Sequence, residues 1–351
     1  MKNLNVGILG ATGAVGQKFI RLLQEHPWFH IKALGASERS AGKNYRDAAQ
    51  WVESIPLPDH IAKTTVRPCT PKEFSDVDFV FSGLDSSVAG EIEAAFAGAG
   101  IPVISNAKNF RMDEHVPLLV PEVNPDHTDL IRHQDFSKDG KGWIVTNPNC
   151  VVVPLVMAMK PLHDRYGIRS LILTSMQAIS GAGYPGVPSL DILGNVIPLI
   201  SGEESKIHTE PLKLLGTLAG SSVSFADFPI QATATRVPVR NGHMLSISAS
   251  LKTKPKSRDE IVDTLTSWKS PLSGLNLPSA PEHPLYLHDD ERYPQPLLHV
   301  DEERGMRTAI GRVRTGEVMD LSFIAMAHNT VRGAAGGAIL NAELLVAKKI
   351  L

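Results

Sequence analysis

The chain has 351 residues, with 35 Lys and Arg against 37 Asp and Glu, so its formal net charge is −2. This balance, with only 6% aromatic residues, excludes a general nucleic-acid-binding protein, which would carry a basic surface and stacking side chains. The apolar runs are too short for a membrane span, and the N-terminus lacks the architecture of a signal peptide. Two cysteines are too few for a disulfide framework. We therefore expect a cytoplasmic enzyme of about two domains.

A glycine-rich loop follows the first predicted strand. Residues 4–9 (LNVGIL) have strand character, and residues 10–16 (GATGAVG) lead into a segment with helical spacing of apolar residues from Phe19 onward. Small residues at G-x-x-G-x-x-G spacing let a backbone approach a pyrophosphate, and the helix N-terminus supplies free N–H groups. The loop predicts dinucleotide binding; the alternative is a tight turn without a ligand.

The second predicted strand covers residues 30–37 and ends in Ser37-Glu38-Arg39-Ser40. In NAD-selective folds, an acidic residue near this point binds the ribose 2′-OH. Hydroxyl groups beside an arginine suit a 2′-phosphate better, so the sequence favours NADP. Because Glu38 is acidic, NAD remains an alternative cofactor. The alternative for Arg39 is that its side chain is solvated in a loop.

Further strands alternate with helical segments, which predicts a parallel sheet. Residues 77–84 and 101–112 contain the strands, and residues 88–99 have helical character. Arg111 follows the later strand and could meet an anionic substrate, although its spacing alone favours a surface charge. Ligands bind beyond the carboxyl ends of parallel strands, and the residues at these ends are Ser82, Gly83, Ser105 and Asn106.

Cys150 is the candidate nucleophile. Residues 143–150 (WIVTNPNC) predict a strand and a turn, and an apolar helical run follows. A thiol near a helix N-terminus has a lowered pKa and can form a thioester. The alternative is a buried, small apolar residue. Cys69 has no such context, and we assign it a structural role.

His243 is the best candidate partner for that cysteine among the 13 histidines. It stands in a predicted turn before an alternating strand, and the alternative is a structural histidine. Neither HExxH nor paired CxxC spacing occurs in the sequence, so we expect no metal site. The Pro-rich stretch 278–298 predicts a loop or an arm over a surface.

Eight longer motifs occur along the chain in this order: GATGAVG, SNAKNFRMD, PEVNP, TNPNC, MQAISGAGYPGVPSLDILGNVIP, SGEESKI, RVPVRNGH and HNTVRGAAGGAILNAELL. Together they resemble the archaeal and fungal branch of the aspartate-β-semialdehyde dehydrogenase family, and they cover essentially the whole chain. The resemblance implies a Rossmann-type NADP-binding domain (1–149) and an α+β catalytic and oligomerisation domain (150–328). It also implies a terminal helix (about 329–351) that returns to the first domain, and a homodimer or homotetramer.

The reaction implied by this resemblance is the reductive dephosphorylation of L-aspartyl-4-phosphate to L-aspartate-4-semialdehyde. NADPH would be the reductant, and a thioester on Cys150 would be the intermediate. The pathway would be the biosynthesis of lysine, threonine and methionine, including the diaminopimelate route. The expected ligands are small molecules, with neither nucleic acid nor membrane as a partner.

The resemblance also implies a role for each matched position. Cys150 would be the nucleophile and His243 the general acid/base. One departure is Val151, since the family commonly has Ser or Thr there, where a hydroxyl could cap the helix or touch the cofactor. The other implied catalytic and substrate contacts are Gln177 (acyl intermediate), Arg236 (α-carboxylate), Glu203 (α-ammonium), and Arg111, Asn149 and Lys206 (phosphate). The implied cofactor contacts are Gly10, Thr12, Gly13, Ala14, Val15, Ser37, Arg39, Ser40, Ser82, Gly83, Ser105, and, at the nicotinamide, Gly181 and Asn329.

Three alternative functions share features of this chain. Malonyl-CoA reductase uses the same thioester chemistry but needs no ammonium or phosphate site, so the presence of Glu203, Lys206 and Arg236 favours the amino-acid substrate. N-acetyl-γ-glutamyl-phosphate reductase has a related cysteine, but the long segment 180–198 argues against it. A non-catalytic NADP-binding regulator would not need an intact set of catalytic residues.

Overall fold

The computed structural model describes residues 3–351. The strands are β1 (Leu4–Leu9), β2 (Phe29–Ala36), β3 (Arg67–Pro68), β4 (Phe79–Ser82), β5 (Val103–Ser105), β6 (Ile144–Thr146), β7 (Ile168–Gln177), β8 (Thr217–Ala219), β9 (Ser222–Ser224), β10 (Ile230–Arg236), β11 (His243–Leu251), β12 (Leu285–Leu287), β13 (Thr308–Thr315) and β14 (Leu321–Ala327). The helices are α1 (Ala14–Leu23), α2 (Tyr45–Ala48), α3 (Asp59–Ala62), α4 (Ser86–Gly98), α5 (Val152–Tyr166), α6 (Ser189–Ile192), α7 (Glu203–Leu214), α8 (Arg258–Thr266), α9 (Pro296–His299) and α10 (Gly336–Ala347).

The chain folds into two compact units. The first holds the residues up to Leu119 together with Asp126–Asn147 and Ala334–Leu351, and the second holds Val120–Pro125 and Pro148–Gly333. The C-terminal helix α10 therefore belongs to the same unit as the glycine-rich loop. Within residues 3–351, none of the helices combines the length and hydropathy that a membrane crossing needs.

The first unit is built on a six-stranded parallel sheet in the order β3-β2-β1-β4-β5-β6. The chain leaves β1 toward β2 on one side and later returns to β4 on the other, so the connections change direction beside β1. In such sheets, ligands bind outside the carboxyl ends of the strands at this point. The Phe19 and Phe81 rings stack at 4.7 Å and bind α1 to the sheet. The predicted α/β class with a Rossmann-type sheet is confirmed.

The second unit contains a mixed six-stranded sheet in the order β10-β7-β11-β14-β13-β12. Both edge pairs are parallel, and the three central pairs are antiparallel. Alternate residues of β11 are buried, as expected for a strand with one covered face. His243, predicted to lie in a turn, is instead the first residue of β11, and Gln177 is the last residue of β7. The strands therefore hold these two residues rigidly.

The prediction of a loop over residues 278–298 is wrong for two segments. β12 pairs in parallel with β13, where Leu285 is the partner of Thr308, and α9 begins at Pro296. Pairing with β13 stabilises β12 within this Pro-rich stretch, and a proline at the first helical position is compatible with a helix.

Candidate active site

Cys150 lies in the turn that leads into α5. The Asn149 Oδ1 atom accepts a hydrogen bond from the Val151 N–H at 2.9 Å, and the Asn149 carbonyl oxygen accepts one from the Val152 N–H at 2.9 Å. The side chain of Val151 is fully buried. Asn149 thus satisfies an N–H group at the start of the helix, so a hydroxyl at position 151 is not needed for this purpose.

The thiol of Cys150 faces the ring of His243. The Sγ–Nε2 distance is 3.2 Å, and the Ala178 N–H donates to Nδ1 at 3.1 Å. Because Nδ1 accepts, the proton of the neutral imidazole is on Nε2, which faces the sulfur. Burial, and then the charge of Arg236, lower the pKa of His243 to about 3, so the ring is neutral near pH 7. The ring can therefore donate a hydrogen bond to a thiolate.

Arg236 is buried beside this pair at the end of β10. Its Nη1 donates to the Ala178 carbonyl oxygen at 2.8 Å, and burial lowers its pKa. A Cβ atom at Gly181 would lie 2.9 Å from Arg236 Nη1 and 2.9 Å from His243 Cε1. Only glycine at position 181 allows the guanidinium and the imidazole to lie this close to the loop.

A buried carboxylate, Glu203, lies at the start of α7. Asn149 Nδ2 donates to its Oε1 at 2.8 Å, and Lys206 Nζ donates to its Oε2 at 2.9 Å. Although burial raises the pKa of Glu203, Lys206, Asn149 and Gln177 together hold it below its ordinary value. Glu210 accepts the Asn149 N–H at 2.6 Å. A negative charge is therefore maintained here, next to the turn that carries the thiol.

Two further predicted residues are buried around these groups. Gln177 donates from Nε2 to the Ser175 Oγ at 3.2 Å. Asn329 accepts the Gly242 N–H at 2.9 Å and donates to the Ser180 Oγ at 2.8 Å. Asn329 thus connects the loop before β11 with the loop that follows β7.

A buried ion pair behind Cys150 was not predicted. Arg332 donates to both carboxylate oxygens of Glu122, at 2.8 and 2.7 Å, and both side chains are 1% exposed. Arg332 Nη2 also contacts the Met157 sulfur at 3.2 Å. A Cβ atom at the next residue, Gly333, would lie 2.8 Å from the Cβ of Cys150. The motifs PEVNP and HNTVRG contain the pair, but nothing in the sequence indicates that they meet.

The glycine-rich loop of the first unit fits a pyrophosphate group. Gly10 has φ +73°, and a Cβ there would lie 2.7 Å from the Gly83 carbonyl oxygen. A Cβ at Gly16 would lie 2.3 Å from the Gly10 oxygen, whereas Gly13 is exposed and caps α1 without a side chain. Gly10 thus makes the tight turn, Gly13 leaves the helix N-terminus open, and Gly16 allows the helix to pack closely on the loop, as dinucleotide binding requires. The other predicted residues of this loop, Thr12, Ala14 and Val15, are partly exposed.

The turn after β2 presents its polar side chains to solvent. Ser37 and Arg39 are exposed and Ser40 is half-buried, and the Ser40 N–H donates to the Ser37 carbonyl oxygen at 2.9 Å. Hydroxyl groups and a guanidinium are thus available at the carboxyl end of β2, as a 2′-phosphate site requires.

Three residues of the first unit that the sequence predicts as ligand contacts have buried side chains: Ser82, Ser105 and Arg111. The Ser105 Oγ donates to Glu93 Oε1 at 2.7 Å, and Ser82 lies at the same carboxylate, whose pKa burial raises. Both serine side chains are fully buried. Arg111 is 7% exposed and donates from Nη2 to the Asn106 carbonyl oxygen at 2.8 Å. The side chains of Ser82 and Ser105 thus lie beside the buried Glu93 carboxylate, away from solvent.

A glycine loop on a Rossmann-type sheet, with a half-buried thiol beside a buried imidazole in the second unit, is an arrangement suited to a nucleotide-dependent dehydrogenase. The family model "Semialdehyde dehydrogenase, NAD binding domain" matches residues 5–131, and "Semialdehyde dehydrogenase, dimerisation domain" matches residues 159–332. The two matches together cover most of the chain, which therefore belongs to the semialdehyde dehydrogenase family.

Comparison with individual relatives narrows this class. Aspartate-semialdehyde dehydrogenases of Schizosaccharomyces pombe and Archaeoglobus fulgidus are each 47% identical, with 99% of both chains covered. The Candida albicans enzyme, solved with NADP, is 40% identical with a TM-score of 0.92 over 100% of both chains. Aspartate semialdehyde dehydrogenase II of Vibrio cholerae, complexed with ASA, is 27% identical with a TM-score of 0.76 over 99% of both chains. The chain therefore belongs to the aspartate-semialdehyde dehydrogenase family. This membership supports an aspartate-semialdehyde dehydrogenase activity over that of a malonyl-CoA reductase.

Proposed function

We propose that the chain catalyses the NADPH-dependent reduction of L-aspartyl-4-phosphate to L-aspartate-4-semialdehyde and phosphate. The observation that carries the proposal is the 3.2 Å contact between Cys150 Sγ and His243 Nε2, beside a buried guanidinium and a buried carboxylate. A thiol, a proton donor and two charges of opposite sign match a substrate that is both an acyl phosphate and an amino acid. The names of the relatives support this substrate, and the Candida albicans structure supports NADP.

The first step uses the sulfur of Cys150. The thiolate attacks the acyl carbon, the C–O bond to phosphate breaks, and a thioester remains. NADPH, when bound, supplies a hydride to this carbon. The C–S bond then breaks and the aldehyde leaves. The Nε2–H of His243 donates a hydrogen bond to the sulfur as the thiolate forms again, and the neutral ring keeps its proton throughout.

The charged residues around the thiol would each bind a different group of the substrate. In this proposal the Arg236 guanidinium binds the α-carboxylate as a fork, and Glu203 binds the α-ammonium. Lys206 already supplies an ammonium group to Glu203 at 2.9 Å, which supports the fit of that carboxylate to a cation. Asn149 and Lys206, with Arg111, would bind the phosphate, and Gln177, Gly181 and Asn329 would contact the acyl group and the nicotinamide.

The wider assignments rest on the same evidence. We propose NADP-binding and catalytic domains at 1–149 and 150–328, with the terminal helix in the former; the division into two compact units supports this. The match to a dimerisation domain supports a homodimer or homotetramer. A cytoplasmic location would suit a biosynthetic enzyme with free cysteines.

The direct test follows NADP reduction by the purified protein given L-aspartate-4-semialdehyde, with and without phosphate. Malonate semialdehyde with coenzyme A is the parallel substrate. We expect activity with the first substrate only, and only with phosphate. Activity confined to the second would overturn the roles of Glu203 and Arg236.

The His243→Gln variant should lower kcat by about 10²- to 10³-fold and change KM much less, because a preorganised hydrogen-bond donor to the thiolate is lost. Glutamine retains a hydrogen-bond donor but cannot occupy the geometry of a ring held between Sγ and the Ala178 N–H. Steady-state kinetics provide the measurement, and His60→Gln, at an exposed histidine of the first unit, is the control. A kcat within a factor of about three of the unmodified protein would remove His243 from the mechanism.

The Arg39→Gln variant should raise the KM for NADP by about 10- to 100-fold and leave that for NAD almost unchanged. A hydrogen bond to a charged group contributes about 1.5–3 kcal/mol, and NAD lacks the phosphate that would receive it. Lys43→Gln, at an exposed lysine in the same segment, is the matched control. An equal increase in KM for both cofactors would show that Arg39 does not bind the 2′-phosphate.

A further inference from the structure

A second cluster of ligating side chains lies outside the residues assigned to catalysis. His288 follows β12, His299 ends α9, and Glu302 lies three residues further on. One potential ligand atom from each lies within 4.8 Å of the other two. The His288 Nε2–Glu302 Oε2 distance is 3.6 Å. Donors about 2.1 Å from a tetrahedral metal ion lie about 3.4 Å apart, so these two atoms already have the required separation.

The His288 ring supplies an independent indication of a ligand. Its side chain is 10% exposed, and its Nε2 atom is buried without a hydrogen-bond partner among the described residues. A buried polar atom without a partner loses the hydrogen bond that it makes to water in the unfolded chain. This atom faces Glu302, which is where an ion would bind.

The other two side chains are oriented as metal ligands usually are. His299 Nδ1 lies 3.0 Å from both the N–H and the carbonyl oxygen of Gln295, the residue before α9, so Nε2 is the ring nitrogen that remains for an ion. Arg307 Nη1 lies 3.3 Å from Glu302 Oε2 and holds the carboxylate in place. Ligating histidines commonly donate their other N–H to a carbonyl group, and ligating carboxylates are themselves hydrogen-bonded.

We propose that His288, His299 and Glu302 bind one divalent transition-metal ion of the zinc type. Two imidazoles and one carboxylate suit Zn²⁺ or Co²⁺ rather than Mg²⁺ or Ca²⁺, and water would complete the coordination. The sequence shows no zinc motif here, because ten residues separate the two histidines and their approach depends on the pairing of β12 with β13. The ion would connect the segment after β12 to α9. The proposal does not depend on the proposed enzymatic function.

Cobalt uptake by the chelator-treated, full-length protein tests the site. Because the thiol and imidazole of the active site could also bind the ion, the titration uses a Cys150→Ser background. We expect one Co²⁺ per chain, with visible ligand-field absorption and without a sulfur-to-cobalt band, and displacement by Zn²⁺. His288→Ala and His299→Ala should each weaken binding at least about tenfold.

Further variants distinguish this site from cobalt binding elsewhere on the chain. His60→Ala in the same background should bind cobalt unchanged, and Glu302→Gln provides a third variant should either histidine change prevent folding. Metal-stripped His288→Ala, with Cys150 intact, should keep its dehydrogenase activity. Absence of cobalt uptake, uptake indifferent to His288→Ala, or a sulfur-to-cobalt band would each overturn the proposal without affecting the proposed function.

Discussion

The Cys150→Ala variant is expected to lose phosphate-dependent turnover by roughly 10⁴-fold or more, because no other group can form the thioester. Folding and NADP binding should be nearly unchanged. The backbone of the turn is held by Asn149, whose Oδ1 accepts the Val151 N–H, rather than by the thiol. Steady-state kinetics measure the loss, and cofactor titration with thermal unfolding shows that the remaining properties are retained.

The matched control is Cys69→Ala, which should retain turnover. Burial raises the pKa of Cys69, so its thiol is protonated and unreactive at neutral pH. Alkylation with a thiol reagent should accordingly modify Cys150 much faster than Cys69. Substantial activity in Cys150→Ala, or equal alkylation rates, would contradict the covalent mechanism.

The second large effect concerns stability. Glu122→Ala should lower the free energy of unfolding by about 3–5 kcal/mol, because it leaves the buried Arg332 guanidinium without its counter-charge. At about 2–4 °C for each kcal/mol, the unfolding midpoint should fall by about 6–20 °C. Turnover should also fall, since the adjacent Gly333 packs against Cys150. Thermal unfolding and initial rates provide the measurements.

A surface ion pair supplies the comparison. Arg46 and Asp59 are paired at 3.3 Å, with side chains 63% and 82% exposed. Asp59→Ala should therefore cost at most about 1 kcal/mol. A cost of less than about 1 kcal/mol for Glu122→Ala would mean that water reaches Arg332 in the folded state, which its 1% exposure contradicts.

Local features of the sequence predicted much of the fold. The segment 4–9 is a strand with the predicted bounds, because alternation and β-branched residues act over a few neighbours. The glycine loop and the cysteine before α5 were placed correctly for the same reason. The boundaries of α4, predicted at 88–99, lie at Ser86–Gly98, since Asp85 caps the helix through the Ser87 N–H. The family was evident from the motifs, and the comparisons confirm it.

Contacts between distant residues were decided only by the tertiary structure. The residues of the cysteine–histidine pair are 93 positions apart, and those of the Glu122–Arg332 pair are 210 apart. The Ala178 N–H that selects the tautomer of His243 is a backbone group, which no residue type could indicate.

The sequence by itself thus determined the nucleotide-binding loop, the position of Cys150 before a helix, and the family. The tertiary structure alone decided which side chains are brought together, which proton faces the sulfur, and which buried charges are paired. The reason is physical: strand and helix propensities and turn chemistry depend on near neighbours, whereas burial, pKa shifts and ligand geometry depend on groups that meet only when the sheets form.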